Sequence, residues 1–113
     1  HDVVCSGATI TTLDTGIHGF PDTSIAMGSD GRGLISYWAG NLMVAHCDNQ
    51  LCTAATLTTV DSSGATGQSS SVVVDESGLA LISYRDGSNA DLKVARCNSI
   101  DCTSATTSAC SAR

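Results

Sequence analysis

Short runs of β-branched and apolar residues alternate with breaks rich in glycine, serine and aspartate along most of the chain. Thr56-Leu57-Thr58-Thr59-Val60 and Ile10-Thr11-Thr12-Leu13 are dominated by residues that fit a pleated surface. Val72 to Val74 and Leu79 to Ser83 are brief apolar runs flanked by turn residues. Ser29-Asp30-Gly31-Arg32-Gly33 and Asp75-Glu76-Ser77-Gly78 place glycine where tight hairpins demand positive φ. No segment sustains a 3.6-residue apolar period, so the pattern predicts an all-β chain of short strands joined by tight turns.

The pattern is also duplicated. Gly33-Leu34-Ile35-Ser36-Tyr37 returns as Ala80-Leu81-Ile82-Ser83-Tyr84, displaced by 47 residues. Asn41-Leu42-Met43-Val44-Ala45-His46-Cys47 returns as Asp91-Leu92-Lys93-Val94-Ala95-Arg96-Cys97, displaced by 50. The difference is a longer turn in the second copy, from Arg85 to Ala90. Upstream, Thr23 to Gly28 corresponds to Ser70 to Asp75. A further element occurs three times, running from Cys5 to Asp14, from Cys52 to Asp61 and, shortened, from Cys102 to Cys110. Four strands in each repeat of about 47 to 50 residues is the arrangement of a β-propeller blade.

The motifs Ile-Ser-Tyr, Asp-Leu-Lys-Val-Ala-x-Cys and Cys-Thr-x-Ala-Thr resemble repeats of secreted bacterial proteins that form propeller-like arrays, related in style to sialidase-type blades. The resemblance runs from Cys5 to about Thr107. It implies a fold and not an activity, because the sialidase box Ser-x-Asp-x-Gly-x-x-Trp is missing: Ser29-Asp30-Gly31 lacks its spacing and Trp38 is out of place. The expected fold is therefore all-β and antiparallel, with two four-stranded propeller-like blades and one extra strand. Within a single domain, 1–113, the extra strand falls at about 5–14, repeat one at 15–61 and repeat two at 62–109. Two blades do not close a ring alone. Nine strands folding on themselves as a small sandwich or barrel is the alternative.

Composition narrows the reading. Asp supplies ten of the eleven acidic residues, and Lys93 stands with four arginines, for a net charge of −6. The absence of a basic cluster disfavours nucleic acid as a partner, and no apolar run reaches the length of a membrane span. Aromatic content of 4% makes the core thin for a chain of this size, so covalent staples are expected.

The six cysteines supply them. Cys47 and Cys52, and likewise Cys97 and Cys102, are separated by four residues, within reach of a disulfide across a hairpin. Zinc is the weaker reading, since the pairs lack the tight knuckle spacing of zinc ribbons. Cys5 and Cys110 remain, to pair within one chain or between chains. Disulfides point to an oxidising compartment, and a chain opening on His1 reads as a mature, secreted, extracellular product.

Signals for catalysis are weak. His18 and His46 are possible bases, but no nucleophile motif frames a serine, and His46 aligns with Arg96. Asp86 to Asp91 reads as a turn, lacking the closing Glu of an EF-hand calcium loop. A copper site at His1 has no supporting signature. The chain is accordingly expected to be no enzyme and to need no cofactor or metal. Two functions remain. One is a secreted structural or adhesive subunit that self-assembles into a filament or ring, through edge strands and an interchain disulfide. The other is an oligomeric lectin whose glycan sites draw on Tyr37, Trp38, Tyr84, Arg85 and Asp86. The Thr-rich segments could also carry O-linked sugar, whereas no Asn-x-Ser/Thr acceptor is present.

Overall fold

A computed structural model describes residues 7–15 and 22–110. Among these residues, eight strands form two antiparallel sheets. The first contains β1 (Thr23–Met27), β2 (Gly33–Trp38), β3 (Leu42–Cys47) and β4 (Ala55–Asp61). The second contains β5 (Thr66–Val74), β6 (Ala80–Asp86), β7 (Asp91–Cys97) and β8 (Ala105–Cys110). In each sheet the strands lie side by side in chain order, and among the described residues no barrel closes. The all-β, two-sheet architecture expected from the repeat is thus present. Of the extra strand expected at 5–14, residues 8–14 form no strand, and residues 5 and 6 lie outside the described residues.

Side-chain alternation gives each sheet two faces. The front face carries the repeated tyrosine, with Gly33, Ile35 and Tyr37 in β2 and Ala80, Ile82 and Tyr84 in β6. The back face carries the repeated leucine and serine, Leu34 and Ser36 in one sheet, Leu81 and Ser83 in the other. The back of the first sheet packs on the front of the second, chiefly through β5 lying over β1 and β2. The core is correspondingly asymmetric. Leu34, Leu42 and Val44 come from the back of the first sheet, while Val72, Ala80, Ile82, Tyr84 and Ala95 come from the front of the second.

Burial records this stacking. β6 alternates strictly between buried and exposed residues, because only its front is covered. β2 and β3 are buried on both faces: the second sheet covers the back, and residues 11–14 border the front beside Ile35, Tyr37 and Ala45. The longer β6–β7 turn of the second copy is closed by the Asp86 carboxylate, which accepts from the N–H groups of Ser88 and Asn89 and from the Asn89 amide. This is an aspartate turn in which both carboxylate oxygens accept hydrogen bonds.

One glycine sets the spacing between the sheets. Gly67 in β5 has φ of 105°, and a Cβ placed on it would lie 2.5 Å from the Leu42 Cα. The positive φ coincides with the register irregularity of β5 between Thr66 and Gln68, and the bare backbone lets β5 reach the first sheet. Gly67→Ala combines left-handed strain with a backbone clash, whereas Gly40→Ala adds only the strain, because φ there is 83° and nothing lies within 4 Å of the added carbon. Urea unfolding should show a loss of about 1–2 kcal/mol for Gly40→Ala and a clearly larger one for Gly67→Ala. Equal losses would contradict the close approach.

Candidate functional site

The sheets are stapled at matching places. Cys47–Cys52 and Cys97–Cys102 are disulfides, with Cα atoms 4.8 and 4.9 Å apart. Each closes the hairpin after the third strand of its sheet. The turns match in their backbone bonds: Asp48 N–H donates to Ala54 and Asn98 N–H to Ser104, while Cys52 and Cys102 N–H donate to Asn49 and Ser99. Both second cysteines adopt positive φ, 56° and 59°. Two such bonds fit an oxidising environment. The pairing expected for Cys5 and Cys110 lies outside the described residues and side chains.

The second repeated device is polar. The Tyr84 hydroxyl donates to Asp61 Oδ2 at 2.6 Å, and the Tyr37 hydroxyl donates to Asp14 Oδ2 at 2.8 Å. Both pairs are 23 residues apart, and both aspartates end a copy of the Cys-Thr-rich element. Asp14 therefore meets the first sheet as Asp61, at the end of β4, meets the second. Residues 7–14 take the place that a preceding sheet's fourth strand would hold, without its ladder of hydrogen bonds.

The two clasps differ in strength. Asp61 is 6% exposed and also binds Lys93 Nζ at 2.6 Å, the Ser63 hydroxyl at 2.6 Å and the Ser63 N–H at 2.9 Å. Lys93 pairs with Tyr84 across β6 and β7, and its ammonium lies 5.8 Å from the centre of the Tyr84 ring. Burial pushes the Asp61 carboxyl up. The hydrogen bonds from Lys93, Ser63 and Tyr84 outweigh it and hold the group far below the ordinary carboxylate range. Burial and the Asp61 carboxylate push the Tyr84 phenol well above its ordinary value, and burial and Asp14 do the same to Tyr37. In the first sheet Met43 occupies the place of Lys93, and its sulfur accepts from the Thr59 hydroxyl.

A second pair of contacts is repeated with altered chemistry. His46 Nε2 lies 2.8 Å from Asp30, and Arg96 lies 2.7 Å from Asp75. Both aspartates also organise the hairpin between the first two strands of their sheets, Asp30 through the Arg32 N–H and Asp75 through Ser77 and Leu79. For Asp30, burial is outweighed by bonds from His46 and the Arg32 N–H, which keep its carboxyl below the ordinary value. His46 is thereby a turn anchor. His18 and His1 lie outside the described residues.

The residues expected to bind glycan are distributed over both faces of the two sheets. Tyr37 and Tyr84 are buried, 4% and 1% exposed, with their hydroxyls committed to aspartates. Trp38 is on the back of the first sheet, and its indole N–H is buried without a partner among the described residues. Arg85 is exposed on the back of the second sheet, bonded to Gln68, and Asp86 is committed to its turn. A hollow of about 270 Å³ does lie on the front of the first sheet, between Thr11, Asp14, Ile35 and Tyr37. Among the described residues no group of three or more His, Cys, Asp and Glu is placed to hold a metal ion, and no helix is long and apolar enough to cross a membrane.

Asp14, Asp61, Ser63 and Lys93 were not among the residues expected to matter. The signal for the aspartates was available, since each closes a repeated element 23 residues before a repeated tyrosine. The role of Lys93 had no such signal, because Met43 takes its place in the other copy.

Asp61 generates a prediction about pH. Its folded-state value is depressed, so its contribution to stability is full above the unfolded value of about 4 and is lost as pH falls below it. Asp61→Asn strands a nearly buried Lys93 ammonium and should cost about 3 kcal/mol at pH 7. Its stability should converge with the parent's toward pH 2, measured by thermal unfolding as a function of pH. A constant gap across that range would contradict the depressed carboxyl.

No protein-family model, no curated protein and no solved structure matches the chain.

Proposed function

We propose that the chain is a secreted structural or adhesive subunit that self-assembles into a higher-order extracellular assembly, with a second copy of itself as its partner. The observation that carries this reading is the apolar character of the two outer sheet faces among the described residues. Ile25 and Met27 are each 63% exposed on the front of the first sheet, and Val73 and Leu92 are 57% and 56% exposed on the back of the second. Single exposed apolar residues are ordinary, but rows of them on both outer faces mark association. The outer strands β4 and β8 add exposed threonines, including Thr56, Thr59, Thr106 and Thr107, with one free edge each. Disulfide-stapled hairpins and few lysines suit a surface that faces proteases outside the cell.

Self-association has a direct readout. Sedimentation velocity over a hundredfold range of concentration should show species heavier than the 11.4 kDa chain, growing with concentration. A single monomeric boundary at every concentration would contradict the proposal, and negative-stain imaging separates filaments from closed rings.

A further inference from the structure

Within the chain, the back of the first sheet and the front of the second form one specific interface. Its apolar row is Leu34, Leu42 and Val44, all at most 1% exposed. Besides the Asp61 clasp, its polar crossings include the Ser36 and Ser70 hydroxyls, which meet at 2.9 Å, and the Val72 N–H, which donates to the Ser24 hydroxyl at 3.2 Å.

The duplication places the same chemistry on the outer faces. On the back of the second sheet, Leu81, Leu92 and Val94 stand where Leu34, Leu42 and Val44 stand on the first, and Ser83 and Ser71 stand where Ser36 and Ser24 stand. These five residues are identical between copies, yet Leu81 and Leu92 are 37% and 56% exposed while their counterparts are buried. On the front of the first sheet, Thr23 matches Ser70 and keeps its hydroxyl, Ile25 matches Val72, and Ile35 and Tyr37 match Ile82 and Tyr84. Each half of the internal interface thus has an outer duplicate, exposed at Leu81 and Leu92 on one side and at Ile25 and Met27 on the other, where Tyr37 is buried beside residues 11–14.

Resting on the self-assembly reading, we infer that copies stack head to tail, the back of the second sheet of one copy covering the front of the first sheet of the next. The contact repeats the apolar and serine pairings of the internal interface but not its tyrosine–aspartate clasp, because Cys110 stands opposite Leu92 where Asp61 stands opposite Leu42. Ser83 of one copy meets Thr23 of the next, Ser71 accepts from the next copy's Ile25 N–H, and Leu81 and Leu92 cover Ile25, Met27 and Ile35. Such an interface is heterologous, so it propagates and does not stop at a dimer. Sheet faces, not edge strands, carry it. At the outer rim the incoming β8 and residues 7–14 claim one place. Residues 7–14 yield, because Asp14 is held through the Tyr37 hydroxyl while β8 is paired along the whole of β7.

Opposite-face blocking tests this. Leu92→Asp removes the back surface and Ile25→Asp the front, both at exposed positions where circular dichroism should report an unchanged fold. Leu81→Asp and Met27→Asp serve as second variants if either misfolds. Each variant alone should sediment as a monomer, whereas an equimolar mixture should yield a heterodimer of twice the mass, since one intact surface of each kind remains. Parent protein that never assembles would overturn the self-assembly reading itself. A parent that assembles, together with variants that still do so singly or a mixture that stays monomeric, would overturn head-to-tail face stacking alone.

Discussion

The contact on which the rest depends is the hydrogen bond from the Tyr84 hydroxyl to the Asp61 carboxylate. Asp61 ends the fourth strand of the first sheet, and Tyr84 sits in the middle of the second, so one bond ties the end of one repeat to the core of the next. A carboxylate taken out of water at this point requires several donors at once, and it finds them in Tyr84, Lys93 and Ser63. Meeting that requirement fixes where the second sheet lies on the first. The approach of Gly67 to Leu42 and the serine bond between Ser36 and Ser70 are compatible with that placement.

Much of the fold was legible because it is written in local terms. Alternation in Leu81 to Arg85, glycines at the hairpins and paired cysteines with four residues between them each act over a few residues, and each appears where expected. What alternation does not encode is which face is covered, and by what. Tyr37 and Tyr84 read as surfaces on which a sugar could stack, whereas the stacking of one sheet on the next makes Tyr84 an interior donor and residues 11–14 border Tyr37. Residues 8–14 share the composition of β4 but form no strand, because a strand needs a neighbouring edge and composition supplies none.

The copies have diverged where their surroundings differ. Leu, Ser, Leu and Val are retained on both back faces, but Trp38 is matched by Arg85 and His46 by Arg96. In each case the residue nearer the covered interface is the less charged, and the exposed face carries the guanidinium. Under the proposed stacking, retained apolar positions keep the shape of the internal contact, and the altered rim charges hold the uncovered face in water.

The central claim, that the buried tyrosine–aspartate clasp governs the joining of the sheets, is tested most directly by comparing the two tyrosines without their hydroxyls. Tyr84→Phe leaves a buried carboxylate one donor short and should lower stability by about 2 kcal/mol in urea unfolding. Tyr37→Phe, whose partner Asp14 is only partly buried, should cost well under half of that. A Tyr84→Phe loss no greater than that of Tyr37→Phe would contradict the account.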